Sequence, residues 1–149
     1  MRWFAVLIGS LCLAAVVHAQ DSLIKVRSAH SVKVTLDRLE TGLKEKGVTV
    51  IARVDHAAAA QKAGMTLRPT EVLIFGNPKA GTPMMQCAQS IGIDLPQKAL
   101  AWQEEKGDVW LAYNDQKYLA QRHAAKGCDA PVKAMSDVLA AFVKAAAQP

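Results

Sequence analysis

Between Glu71 and Trp102 the chain reads EVLIFGNPKAGTPMMQCAQSIGIDLPQKALAW, and this stretch limits the available folds more than any other. Four apolar residues in a row, Val72 to Phe75, stand between Pro69 and Gly76. A run that short, bulky and closed by breakers predicts a strand buried on both faces. Gly76, Pro78 and Gly81 then predict a tightly turning loop. Thr82 followed by Pro83 predicts a helix start, because proline lacks the amide hydrogen that would be orphaned in the first turn. That helix runs through Met84, Met85 and Cys87 and stops at Gly92, before a second apolar run. A glycine loop entering a helix beside Lys79 also suits an anion. The spacing of Gly76, Gly81 and Thr82 approaches a phosphate-binding loop, but the lysine required before the hydroxyl residue is missing, which excludes nucleotide binding of that kind.

Residues 1–19 have the form of a signal peptide: Arg2, an apolar core from Trp3 to Val17, and Val17-His18-Ala19 before Gln20. Cys12 lies inside the apolar core, away from the cleavage point, which argues against a lipid anchor. No later apolar stretch approaches the length of a membrane span. The expected mature chain, residues 20–149, is one periplasmic or secreted domain without a stable membrane span. Without Arg2 the basic residues fall from 18 to 17 against 13 acidic ones, a net charge of +4. They are scattered rather than striped with aromatics, so nucleic acid is not an expected partner. Cys87 and Cys128 remain after cleavage. An oxidising compartment permits their pairing, which the sequence leaves open. Neither a CxxC nor a zinc spacing is present.

Along the chain, Leu23 to Arg27 alternates as a strand. Ser31 then caps a helix whose stripe is Val32, Leu36, Leu39 and Leu43, closed by Lys46 and Gly47. Val48 to Val54 is a branched, strand-forming run. Asp55 caps a short alanine-rich helix that Gly64 ends. Leu100–Gln103 and Val109–Tyr113 read as a hairpin around Gly107. Asn114 or Asp115 caps another short helix, closed by His123. Asp129 before Pro131 starts the last helix, with Val132, Met135, Leu139 and Phe142 as its stripe and Ala145 to Pro149 fraying.

Four phrases together, LRPTEVLIFGNPKAGTPMMQ, IGIDLPQKALAW, VWLAYNDQKYLAQRH and the step Asp55-His56-Ala57, resemble the family called domain of unknown function 302, over roughly Val26 to His123. The resemblance implies an α+β domain of the TATA-binding-protein-like group: a single curved, antiparallel-rich sheet of about five strands with helices packed on one face. It implies no reaction, and fold alone supplies none. Cys87 and Cys128 depart from the family's usual residues, so a role built on them would be peculiar to this chain.

The first functional expectation is a small-ligand-binding or accessory domain, with a small molecule or anion as partner. Its polar contacts would be His56, Arg68, Asn77, Asp94, Lys98, Tyr113, Asn114 and His123, with Lys79 near the anion. A second is a metal site from His56, His123 and Met85 or Cys87. A third is an enzyme in which His56 or His123 is a general base, oriented by Asp94 or Asp55, with Tyr113 as donor. No nucleophile elbow or metalloprotease motif supports a named reaction. The sequence sets neither a cofactor nor an oligomeric state.

Overall fold

The computed structural model describes residues 22–149, so the segment read as a signal peptide lies outside the described residues. Five strands, β1 (Leu23–Ser28), β2 (Thr49–Asp55), β3 (Thr70–Gly76), β4 (Gln97–Gln103) and β5 (Val109–Asn114), form one sheet in the order β1-β5-β4-β3-β2. Every neighbouring pair is antiparallel. Five helices connect or follow them: α1 (Val32–Glu45), α2 (His56–Lys62), α3 (Pro78–Cys87), α4 (Gln116–Arg122) and α5 (Asp129–Ala147). A 3₁₀ segment, Gln89–Ile93, joins α3 to β4. The architecture is α+β.

One face of the sheet builds the core. Leu73, Phe75, Ala99, Ala101, Leu111 and Tyr113 pack under α1 and α5, whose Leu36, Leu39, Leu43, Leu139 and Val143 are at most 2% exposed. The α1 stripe at four- and three-residue spacing is therefore what the sheet covers. Ser31 accepts from the Val34 amide at the start of α1, and Gly47 ends the turn beyond it at φ 69°, where a side chain would strain the backbone. Arg53 on β2 ties α1 to the sheet, reaching Asp37 (2.6 Å) and Glu71 (2.8 Å).

The other face follows from the register. Val54, Val72, Leu100 and Ala112 form one row across it, and Trp102 pairs with Trp110 in the next. Val72, Ile74 and Leu100 are only partly buried, and Val54 is exposed. β3 is thus fully buried on one face, not on both as its apolar run suggests. Among the described residues the long helices α1 and α5 pack on the face that carries Leu73 and Phe75, so those two are sealed while their neighbours on β3 are not.

A second difference lies at α3. Asn77 caps it and Pro78 takes its first position, five residues earlier than the Thr82–Pro83 signal suggests, which leaves Pro83 inside the helix. Both Asn-Pro and Thr-Pro have the chemistry of a helix start, and the first one encountered is used. The last helix also differs. Ala146 and Ala147 are 2% exposed and the Ala147 carbonyl accepts from the Ala29 amide (2.9 Å), so this end is packed rather than frayed.

Candidate functional site

The strand ends sort the residues singled out from the sequence. Asp55 pairs with Glu71 at one end of β3, and the adjacent His56 opens α2 as an exposed residue. Arg68 lies at that end too, its Nε donating to the Gln103 carbonyl (3.2 Å). Asn77 follows Gly76 at the other end, and seven strand residues at about 3.3 Å each separate the two ends by roughly 20 Å. His56 and Arg68 therefore do not share a site with the other seven. The Asp55-His56 step reads as a cleft edge from sequence, but Asp55 is occupied as the α2 cap, accepting from the Ala58 amide (2.8 Å).

At the Gly76 end the structure gathers Asp94, Lys98 and His123. His123 Nε2 lies 2.6 Å from Asp94 Oδ2, and Arg122 Nη1 donates to Asp94 Oδ1 (3.1 Å). Lys98 Nζ donates to the carbonyls of Asp94 (3.0 Å) and Pro96 (3.1 Å), so its charge is turned onto the backbone. His123 Nδ1 lies 3.0 Å from Ser90 Oγ. Ser90 carries no sequence signal, since it belongs to no motif and reaches His123 only because the 3₁₀ segment folds against the end of α4. Asn114 closes β5, and its carbonyl accepts from Gln116 Nε2 (2.8 Å). Tyr113 is a core residue at 2% exposure, and burial, with the charge of Asp115 added, pushes its phenol above the ordinary value.

The anion site expected beside Lys79 is not available. Pro78 has no amide hydrogen, Lys79 N donates to Asn77 Oδ1 (2.9 Å), and the Ala80 and Gly81 amides both donate to the Asn77 carbonyl (2.9 Å). The early helix start uses every first-turn donor that an anion would need. The metal set fails as well. Cys87 is joined to Cys128 by a disulfide, with Cα atoms 5.9 Å apart, and His56 is at the far end of the sheet. Among the described residues no group of three or more His, Cys, Asp or Glu is placed to hold an ion.

A cavity of about 460 Å³ lies between α3, the start of β4 and the α1/α5 layer. Its floor is Phe75, Leu43 and Leu139, its α3 wall carries Met85, and Phe142 closes the α5 side. Ile51 and Val138, 56% and 50% exposed, stand at its rim on β2 and α5. The polar groups facing it are few: Asn77, Gln97, Thr49 and Thr82. Gln97 is held from behind, its amide exchanging hydrogen bonds with that of Gln116 at 2.9 and 3.2 Å. Of the residues expected to bind ligand, only Asn77 lines this cavity. The signals that mark it in the sequence are apolar residues beyond what a buried stripe needs: Val138 off the α5 stripe, and Ile51 at the irregularity in β2 pairing between Val50 and Ala52.

Residues 24–142 match the pattern of the family described as domain of unknown function DUF302. Two curated relatives, each named fluoride-specific ion channel FluC 1, from Brucella suis biovar 1 and Brucella abortus biovar 1, are 48% identical over 116 residues. That region is 77% of this chain but 46% and 43% of theirs, so the chain spans less than half the length of these relatives. The crystal structure of an uncharacterised conserved DUF302 protein from Bacillus stearothermophilus superposes with a TM-score of 0.77 at 20% identity, covering 85% of this chain and 99% of that one. This likeness concerns the fold.

Proposed function

The chain belongs to the family of domain of unknown function DUF302, and on that premise we propose that it is an exported binding domain for a small, mainly apolar molecule. The single observation that carries this reading is the cavity beside α3. Its volume of about 460 Å³ falls within the range of small-molecule sites, and its lining pairs an apolar wall with a few oriented polar groups. Exposed Ile51 and Val138 at the mouth make the apolar lining contiguous with the surface, and a contiguous apolar patch, unlike a single exposed residue, marks a binding site. Export fits the apolar segment at the N-terminus and the disulfide, which persists in an oxidising compartment.

Titration of the purified chain with saturated fatty acids of eight to sixteen carbons, read by thermal shift, tests the reading. A ligand at a hundred times its Kd adds about 2.7 kcal/mol to the native state. The expected result is a chain-length optimum that Val138→Asp removes, because the charge stands at the mouth while the 50% exposed position leaves the fold intact. A flat response across the series defeats the reading.

The Brucella relatives favour a second reading, in which the domain acts as an accessory to an ion channel. Proteins named as fluoride channels carry a region 48% identical to this chain together with more than as much chain again. Under this reading, deletion of the gene changes the host's fluoride tolerance; under the first alone it does not.

A further inference from the structure

The Gly76 end of the sheet holds three side chains in line: Ser90 Oγ 3.0 Å from His123 Nδ1, and His123 Nε2 2.6 Å from Asp94 Oδ2. Only one placement of protons satisfies all three when the imidazole is neutral. The Asp94 carboxylate has none to give, so Nε2 carries the ring hydrogen and donates it. Nδ1 is then bare and accepts the hydroxyl hydrogen of Ser90. A hydroxyl donating to a bare ring nitrogen, with the other nitrogen fixed by a carboxylate, is the ground state of an activated nucleophile. We propose that Ser90, His123 and Asp94 are the nucleophile, general base and orienting carboxylate of an acyl-transfer site acting on small carboxylic esters.

Burial is graded in the direction this chemistry needs. The side chains of Asp94 and His123 are 11% and 8% exposed, whereas Ser90 is exposed at the outer end of the row. Asp94 is held at three points: Arg122 on Oδ1, His123 on Oδ2, and Lys98 on its carbonyl. The 3₁₀ segment carrying Ser90 is anchored by Ile91, which is 0% exposed against Met84 and Val132. The ring nitrogens are exchanged relative to the best-known serine hydrolase triads, where the serine faces Nε2. Either nitrogen of an imidazole accepts a proton once the other is committed, so the exchange changes the approach direction and not the chemistry.

The reaction balances without any other reagent than water. Ser90 Oγ bonds to the ester carbonyl carbon as its proton passes to Nδ1, and the carbonyl electron pair moves onto oxygen. Collapse of that intermediate breaks the bond to the alcohol, which leaves with the Nδ1 proton. Water then attacks the Ser90 ester, its proton passing to Nδ1 and back to Oγ as the carboxylic acid departs. Gly92 and Leu95, two and five residues beyond Ser90, line the apolar cavity. The substrate class is accordingly an ester of an apolar acid; that choice of acyl group rests on the binding reading above, and the chemistry does not.

The test uses the purified full chain, a fluorophosphonate probe and 4-nitrophenyl esters of two to eight carbons. The expected result is a single phosphonyl adduct on the peptide carrying Ser90, and ester hydrolysis lowered at least 100-fold by Ser90→Ala. Because Ser90 is exposed, that variant folds; His123→Gln should lose the adduct as well, which a merely structural latch would not require. No adduct on Ser90, or Ser90→Ala hydrolysing at the parent rate, overturns the proposal. Val138→Asp separates the two readings: loss of chain-length preference with the adduct retained supports both, and an unchanged preference removes the cavity as the acyl site.

Discussion

Trp110 Nε1 is the one buried side-chain polar atom among the described residues without a hydrogen-bond partner. A buried unpaired donor carries its desolvation cost of about 1–3 kcal/mol with no return. Trp110→Phe keeps most of the ring packing beside Trp102 and removes the donor, so the variant should unfold within about 1 kcal/mol of the parent in urea, on either side. The buried amide pair behaves in the opposite way. Gln116 is 0% exposed and Gln97 5%, and each satisfies the other. Gln116→Ala strands the Gln97 amide and opens a void, and should cost about 2–3 kcal/mol by the same measurement. Neither glutamine was legible in the sequence, because their meeting depends on β4 and α4 being brought together, 19 residues apart. Asp94 and His123 were legible as polar groups at element ends, but Ser90 was not, for a lone serine on a short 3₁₀ segment has no period or motif.

At the scale of elements, local chemistry placed most of the boundaries. Ser31, Asp55 and Asp115 each accept from a first-turn amide of the helix they open, as short oxygen-bearing caps do. The hairpin between β4 and β5 turns at Gly107 (φ 89°). Element starts failed where two signals competed, at Asn77-Pro78 and Thr82-Pro83, and the choice between them moved every backbone donor at the entry to α3. Beside the apolar contact of Val50 with the α1 stripe, α1 and β2 are joined by an ion-pair link that was not legible, since Arg53, Asp37 and Glu71 lie on three separate elements. Hydrogen bonds from Lys33 and then Arg53 hold the Asp37 carboxyl below its ordinary value. A carboxyl depressed in the native state stabilises the fold above the unfolded-state value near pH 4, and that contribution disappears as pH falls through the native value. Asp37→Asn should therefore flatten the acid limb of stability measured by urea unfolding between about pH 4 and 2. The difference should shrink in 0.5 M salt, because Asp37 and Lys33 are both well exposed. Arg53→Met leaves Glu71, only 14% exposed, without its partner and should cost about 1–3 kcal/mol at pH 7.

Among the described residues the apolar core divides into two clusters of unequal size. The larger joins the covered sheet face to α1 and α5; the smaller consists of Met84, Ile91, Cys128 and Val132 with the disulfide running through it. The cavity sits between them, bounded by the sheet-side cluster below and α3 above. α3 is fastened to the rest through that small cluster and the Cys87–Cys128 bond, so the wall of the cavity depends on a covalent link whose partners are 41 residues apart in the chain. In the chain-entropy account, closing a loop of that length stabilises the native state by about 4 kcal/mol. For a domain of this size that corresponds to roughly 10–15 °C in the midpoint of thermal unfolding. Treatment with dithiothreitol should lower the midpoint by that amount, and Cys87→Ala/Cys128→Ala should reproduce the reduced value. Hydrogen exchange localises the effect. Amides of α3 and the first turns of α5 should exchange faster on reduction, while β3, β4 and β5, held by the larger cluster, should keep their protection. Equal acceleration over sheet and α3 would mean that the two clusters open as one unit, and that the cavity wall has no mobility of its own.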